Sequence, residues 1–235
     1  MWRVFFGSAV RRDAAAGHLS TAVAPHLLRT SALDVPDEDW ARRSQQDLKA
    51  VTVEALTIAP PWDVPSGGSV ILIEPSTGFG TGHHATTRLC LQLMQELDLR
   101  SMRVVDVGTG SGVLALAAWT LGAGDVVGVD NDPDALDNAR ANIARNGAAA
   151  HIDLLNADLR ALTIPAADLV VANLTAAILV REAATLQSLV RRGGHLILSG
   201  FTPDQAVSEV VPAFWSFGVV GRAVEDDWAA IRLSR

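Results

Sequence analysis

The chain has 235 residues, 49% hydrophobic and 19% charged; at roughly 150 residues per domain this is one domain with a core and a small appendage. Nineteen Lys and Arg against 26 Asp and Glu leave a net charge of −7, which argues against a nucleic-acid binder and leaves room for a basic protein partner. No apolar run reaches the roughly 18 residues of a membrane span, and the single cysteine, Cys90, excludes an internal disulfide and a cysteine-based zinc site.

In chain order, Met1–Phe6 is too short an apolar stretch for a signal peptide and meets Arg11-Arg12 at once, so a soluble, cytoplasmic protein is expected. Residues 1–68 read as an appendage and linker. Trp2–Phe6 has strand character, Leu19–Leu28 helical character, and Asp37-Glu38-Asp39 an acidic helix start. Pro60-Pro61 and Pro65 with Gly67-Gly68 form the clearest linker.

From Ser69 onward, short β-rich runs alternate with helical patterns. Ser69–Ile73 is an apolar run. Thr86–Leu97 puts Cys90, Leu93, Met94 and Leu97 on one helical face. Arg103–Val107 reads as a buried strand, followed by the glycine-rich Gly108–Gly112 and a helix to about Leu121. Asp125–Asp130 is the next strand, and Pro133–Asn146 a helix with Gly147 past its end. Ile152–Leu155, Leu169–Ala172 and His195–Ser199 read as further strands, with helices at Thr175–Val190 and Pro203–Phe214. Val219–Val224 and Ala229–Leu233 close the chain as a hairpin around Asp226-Asp227. This alternation predicts an α/β domain over residues 69–235: a doubly wound, mostly parallel sheet with helices on both faces and a C-terminal antiparallel hairpin.

The strongest chemical signal is a strand, a glycine turn, a second strand and an acid: Val104–Gly112, then Val126–Asp130. The glycines let the backbone turn tightly and bring a ligand against main-chain N–H groups. Asp130, at the end of the next strand, stands where a ribose diol would donate. A dinucleotide fingerprint needs its third glycine one place later, where Val113 stands. Asp106 would repel a pyrophosphate and suits the ammonium of a methionine moiety. S-adenosylmethionine is therefore the favoured ligand and NAD the alternative. Asp106 has a second reading as a buried helix cap. Asp158 is either an acceptor for the adenine amine or a solvated loop carboxylate. Asn131, beside Asp130, is counted with the cofactor contacts. His83 and His84 lack a further ligand at fitting spacing, so no metal is expected.

The segments Gly78-Phe79-Gly80-Thr81-Gly82-His83-His84-Ala85-Thr86-Thr87, Asp106–Gly112 and Asn173-Leu174-Thr175-Ala176 resemble the PrmA family. These are bacterial S-adenosylmethionine-dependent methyltransferases that modify amino groups of a large-subunit ribosomal protein. The likeness runs from about Glu38 to Trp228, through Ala59-Pro60-Pro61-Trp62 and Leu198-Ser199-Gly200. It implies a class I, Rossmann-like fold with a seven-stranded sheet. It also implies cofactor contacts at Thr87, Gly108, Asp130 and Asn173, with Gly110 in the same turn. Phe79, Gly80 and Thr81 would close over the ligand as a glycine lid. Asn173, at a strand's carboxyl edge, is the expected catalytic residue; its oxygens can accept from an amine, and its alternative is a helix N-cap.

The sequence departs from the family pattern at Ala85 (usually Pro), Thr109 (usually Cys) and Leu174-Thr175 (usually Ile-Leu). Full-length members carry a substrate-recognition domain ahead of the Glu-Asp-Trp segment, whereas 37 residues precede Glu38 here. Weak or absent methylation of the ribosomal protein, with cofactor binding intact, is the resulting expectation. The implied reaction is direct methyl transfer to a neutral amine nitrogen of a protein, with no identifiable general base. A small-amine methyltransferase on the same core, and a cofactor-binding module with little catalysis, are the competing readings.

Overall fold

The computed structural model describes residues 48–75 and 82–235, together with Ala15. Two compact units divide the chain, Met1–Asp47 and Leu48–Arg235. The elements expected at Trp2–Phe6, Leu19–Leu28 and Asp37–Asp39 lie outside the described residues.

The second unit opens with a small sheet of β1 (Val51–Val53), β2 (Leu56–Ala59) and β3 (Ser69–Leu72). β1 and β2 form a hairpin, with Glu54 in the turn at φ +50, and β2 pairs in parallel with β3. Ser69–Ile73 is thus a strand as expected, but of this sheet and not the large one. The boundary expected after residue 68 falls inside the second unit. The Pro- and Gly-rich stretch of residues 60–68 is the crossover that two parallel strands require.

The large sheet has seven strands in the order β6-β5-β4-β7-β8-β10-β9. They are β4 (Arg103–Val107), β5 (Asp125–Asp130), β6 (Ile152–Asn156), β7 (Ala167–Asn173), β8 (Val190–Phe201), β9 (Gly218–Glu225) and β10 (Trp228–Ser234). β6 to β8 pair in parallel across β5, β4 and β7; β10 runs antiparallel to β8 and β9. Asp226, at φ +52, makes the hairpin turn. Alternate residues of each central strand supply opposite cores, which is why these runs are mostly apolar, with Asp106 in β4 an exception. Val104, Val126, Leu169, Val171 and Ile197 enter one core. Val105, Val127, Val170, Ala172, Leu196 and Leu198 enter the other.

The first face is covered by α1 (Ala85–Gln95) and α2 (Val113–Thr120). α2 is apolar all round, and Val113 through Ala118 are buried. α3 (Pro133–Arg145) starts at the Asp132 cap with Pro133 in its first turn, and Gly147 follows at φ +71. The helix expected over Thr175–Val190 is broken. α4 (Ala176–Arg181) and α5 (Ala183–Ser188) meet at Glu182, and Val190 already begins β8. The Pro203–Phe214 helix is likewise segmented, into α6 (Pro203–Gln205), a π turn (Ala206–Val210) and α7 (Val211–Ala213). Pro212 has no N–H to give, so the ladder cannot run regularly through it. Among the described residues no helix is long and apolar enough to cross a membrane.

Candidate functional site

A cavity of about 650 Å³ opens at the carboxyl ends of β4, β5, β6 and β7. Its wall includes Gly108, Gly110, Asp130, Asn131, Asp158 and Asn173, so six of the residues singled out in the sequence converge on one space. Open α/β sheets bind ligands at this edge.

The glycine turn is built by the strands on either side. Gly108 N and Thr109 N both donate to the Val129 carbonyl, at 2.8 and 3.0 Å, and Gly112 N donates to Thr109 O at 2.8 Å. Gly108 lies at φ +70 and Gly110 at φ +53, a region that L-residues disfavour. Asp130 closes the turn from β5: its Oδ2 accepts from Gly110 N at 3.0 Å and its Oδ1 from Asp132 N at 3.1 Å.

Asp106 lies beneath the turn, 1% exposed. Its Oδ2 accepts from the Thr109 hydroxyl at 2.7 Å and from Ala115 N, in the first turn of α2, at 3.1 Å. Oδ1 is buried and has no partner among the described residues. Burial pushes the Asp106 carboxyl up to about 6, against those two donors, which favour the charged form. The helix-cap reading of Asp106 thus accounts for one oxygen and leaves the other over.

Asn173 and Thr87 meet although 86 residues separate them: Asn173 Nδ2 donates to Thr87 Oγ1 at 3.4 Å. Thr87 is buried in the first turn of α1 and is not part of the cavity wall. The helix after Asn173 is capped at Thr175 instead, so Asn173 is not its N-cap. Leu174 N donates to Ser199 O at 3.0 Å, which fixes the end of β7 against β8.

Asp158 caps the short turn Leu159–Ala161 and is engaged with Arg160, Oδ2 lying 2.5 Å from Nη2. The guanidinium holds its carboxyl well below the usual carboxylate range. It is neither a free acceptor nor simply solvated. His84 caps α1, its Nδ1 2.8 Å from Thr86 Oγ1, and its ring stands edge-on to Trp228 at 4.9 Å. His83 Nε2 is 2.7 Å from the Lys49 carbonyl. Among the described residues no group of three or more His, Cys, Asp or Glu could hold a metal ion. Phe79, Gly80 and Thr81 lie outside the described residues. Gly82 follows them at φ +81, packed so closely on Ile58 that a β-carbon would stand 2.7 Å from Cγ2.

The cavity also draws on residues that sequence reasoning missed. Asn138 faces it from α3, and Ile178, Arg181 and Glu182 from the α4–α5 junction. Glu182 is a buried carboxylate bonded to Arg181 Nε at 2.6 Å. A polar residue inside an otherwise apolar helical face was the available signal for it.

The family model for ribosomal protein L11 methyltransferase (PrmA) matches residues 8–235, so the likeness begins well ahead of Glu38. The chain is 40% identical over 203 residues to the ribosomal protein L11 methyltransferase of Symbiobacterium thermophilum, covering 84% of this chain and 66% of that one. It is 39% identical over 218 residues to that of Cupriavidus taiwanensis, covering 91% and 70%. The chain spans about two thirds of the length of these relatives. A crystal structure of ribosomal protein L11 methylase from Lactobacillus delbrueckii subsp. bulgaricus superposes with a TM-score of 0.73 at 29% identity, covering 80% of this chain and 98% of that one.

Proposed function

The chain belongs to the ribosomal protein L11 methyltransferase (PrmA) family, and on that premise we propose that it transfers methyl groups from S-adenosylmethionine to amino nitrogens of a ribosomal protein of the L11 kind. The observation that carries this reading is the convergence of Gly108, Gly110, Asp130 and Asn173 on one cavity.

The residues present fit the cofactor. A space of about 650 Å³ falls within the range of small-molecule sites. Gly108, at φ +70, adopts a backbone conformation that favours glycine, and a β-carbon there would point at the Leu174 side chain, 2.5 Å from Cδ2. Asp130 keeps lone pairs beyond those given to Gly110 and Asp132, enough to receive a ribose diol. Gly108 and Gly110 lay main chain along the ligand with Asn131 beside them, and Asp158 with Arg160 borders the adenine end. Asp106 lies beneath the turn and is not part of the cavity wall, so its carboxyl would act on a cationic ligand through the turn and not by contact. Phe79, Gly80 and Thr81 are assigned to the cofactor on family likeness.

Bound there, S-adenosylmethionine supplies an electrophilic methyl group on a sulfonium. The chain supplies alignment. Thr87 holds the Asn173 carboxamide by its nitrogen and leaves its oxygen for an amine N–H. A free lysine titrates near about 10.4; the apolar side chains of Leu174 and Ile178 on the cavity wall disfavour its charged form. The net charge of −7 steers a basic protein toward the site and a nucleic acid away from it. A ribosomal acceptor puts the work in the cytoplasm.

Titration calorimetry tests the reading. S-adenosylmethionine and its demethylated product should both bind, and NAD should not. Binding of NAD without S-adenosylmethionine overturns it.

A further inference from the structure

We propose that Asn142 is a positioning residue of the cofactor site, fixing the glycine turn to the end of β3 from its place on α3. The inference rests on the S-adenosylmethionine reading above. Asn142 is fully buried, at 0% exposure, among the polar residues of the core. Its Oδ1 accepts from Glu74 N at 2.9 Å, and its Nδ2 donates to the Ser111 carbonyl at 3.0 Å. One carboxamide therefore bridges the residues just after β3 and the turn that carries Gly108 and Gly110. Nδ2 also lies 3.4 Å from Oδ1 of Asn138, which faces the cavity.

Asparagine is a poor residue for a helix interior, and burying an amide without partners costs several kcal/mol on transfer scales. Both ends of Asn142 have partners, and those partners are backbone groups of segments 68 and 31 residues away. Packing points the same way. Ala139, one turn earlier on the same buried face, neighbours Gly112: a β-carbon added there would come into ordinary contact with Ala139 Cβ at 3.4 Å and its Cα at 3.5 Å. α3 thus runs beside the turn at Ala139 and is bonded to it through Asn142.

The same helix provides a control. Asn146 accepts from Leu72 N at 2.8 Å and donates to Leu72 O at 2.7 Å. It clamps β3 with two bonds and donates a third to the Asn142 carbonyl at 2.8 Å, but among the described residues its side chain has no bond to the glycine turn itself. A purely structural asparagine should behave like Asn146.

The test compares Asn142→Asp and Asn146→Asp in the full chain, with Asn142→Ala in place of the first should that variant not fold. Four measurements are made: thermal midpoint, calorimetric Kd for S-adenosylmethionine, amide hydrogen exchange of Gly110 and Gly112 without cofactor, and steady-state KM and kcat. Both variants should lose thermal stability. Asn142→Asp alone should also raise Kd about tenfold and speed exchange at the two glycines about tenfold, with KM for the cofactor rising more than kcat falls. Equal shifts of Kd and exchange in the two variants, or none in Asn142→Asp, would overturn the inference. If the wild-type protein binds no S-adenosylmethionine, the cofactor reading fails, and the exchange contrast alone decides whether Asn142 holds the turn.

Discussion

Replacing Gly200 with alanine probes how the end of β7 is held. Gly200 lies at φ +99, a left-handed conformation that costs an L-residue about 1–2 kcal/mol. The added methyl would stand 2.2 Å from the Leu174 carbonyl oxygen and 2.7 Å from its carbon. These are backbone atoms directly after Asn173, so no rotamer change relieves the clash. Reaching even the 3.0 Å that real β-carbons respect moves the Leu174 peptide by about 1 Å, against a close-packed interior. Leu174 N is bonded to Ser199 O at 3.0 Å, and the shift breaks that bond or drags β8 with it. With overpacking of about 1–3 kcal/mol and a lost hydrogen bond of about 1 kcal/mol, Gly200→Ala should destabilise by roughly 3–6 kcal/mol. Since a displacement of about 1 Å at a reacting centre costs on the order of 10²-fold in rate, kcat/KM should fall by about that factor. Gly147→Ala is the comparison, at φ +71 with nothing within 4 Å of the new methyl; it should cost only about 1–2 kcal/mol and leave kcat/KM unchanged. Urea unfolding and steady-state kinetics on both variants decide the matter. A Gly200→Ala protein as stable and as active as Gly147→Ala would refute the idea that Gly200 positions Asn173.

Asp130→Ala removes the acceptor for Gly110 N and Asp132 N together with the proposed ribose contact. Calorimetry should show S-adenosylmethionine weakened by about 1.5–3 kcal/mol, and an unchanged affinity would move the ribose elsewhere. Thr87→Val keeps the volume but loses the hydroxyl that Asn173 Nδ2 meets at 3.4 Å. Its kcat should drop about tenfold with a thermal midpoint within a few degrees of wild type; an unaltered kcat would make that bond incidental. Burial raises the Asp106 carboxyl from 3.8 to about 6, so between those values the folded protein holds a proton that the unfolded chain has released. Its contribution to stability is full below about pH 4 and lost as pH rises through about 6. Urea unfolding across this window should show wild type losing up to about 3 kcal/mol relative to Asp106→Asn, and parallel profiles would contradict a buried, protonated Asp106.

The large sheet was legible because its central strands are apolar on both faces and separated by amphipathic helices. The small sheet was not. β1 and β2 have 3 and 4 residues, too few for alternation to register, and the prolines and glycines of the crossover from β2 to β3 look like an interdomain linker. The break at Glu182 leaves no mark in the sequence, since Glu182 N still donates to Ile178 O and Glu182 O still accepts from Leu186 N. Within the site, the glycines and Asp130 were readable because the tight turn and the acid opposite it leave a fixed spacing. Thr87 and Asn173 came from family likeness, and only the folded chain brings them into contact. Asp158 was half readable, because its position was visible but its capture by Arg160 depends on a local turn. Asn142 was invisible: a lone asparagine in a helix says nothing about which distant backbone groups it will face.

The central claim is that this cavity directs methyl transfer to a protein amine. The most direct test is incubation with methyl-labelled S-adenosylmethionine and a bacterial lysate supplemented with ribosomal protein L11, followed by mass-spectrometric mapping of the label. The account predicts label on lysine side chains or the N-terminal amine of L11, reduced on the order of a hundredfold with Asn173→Ala. Label confined to nucleic acid or to small molecules would contradict it.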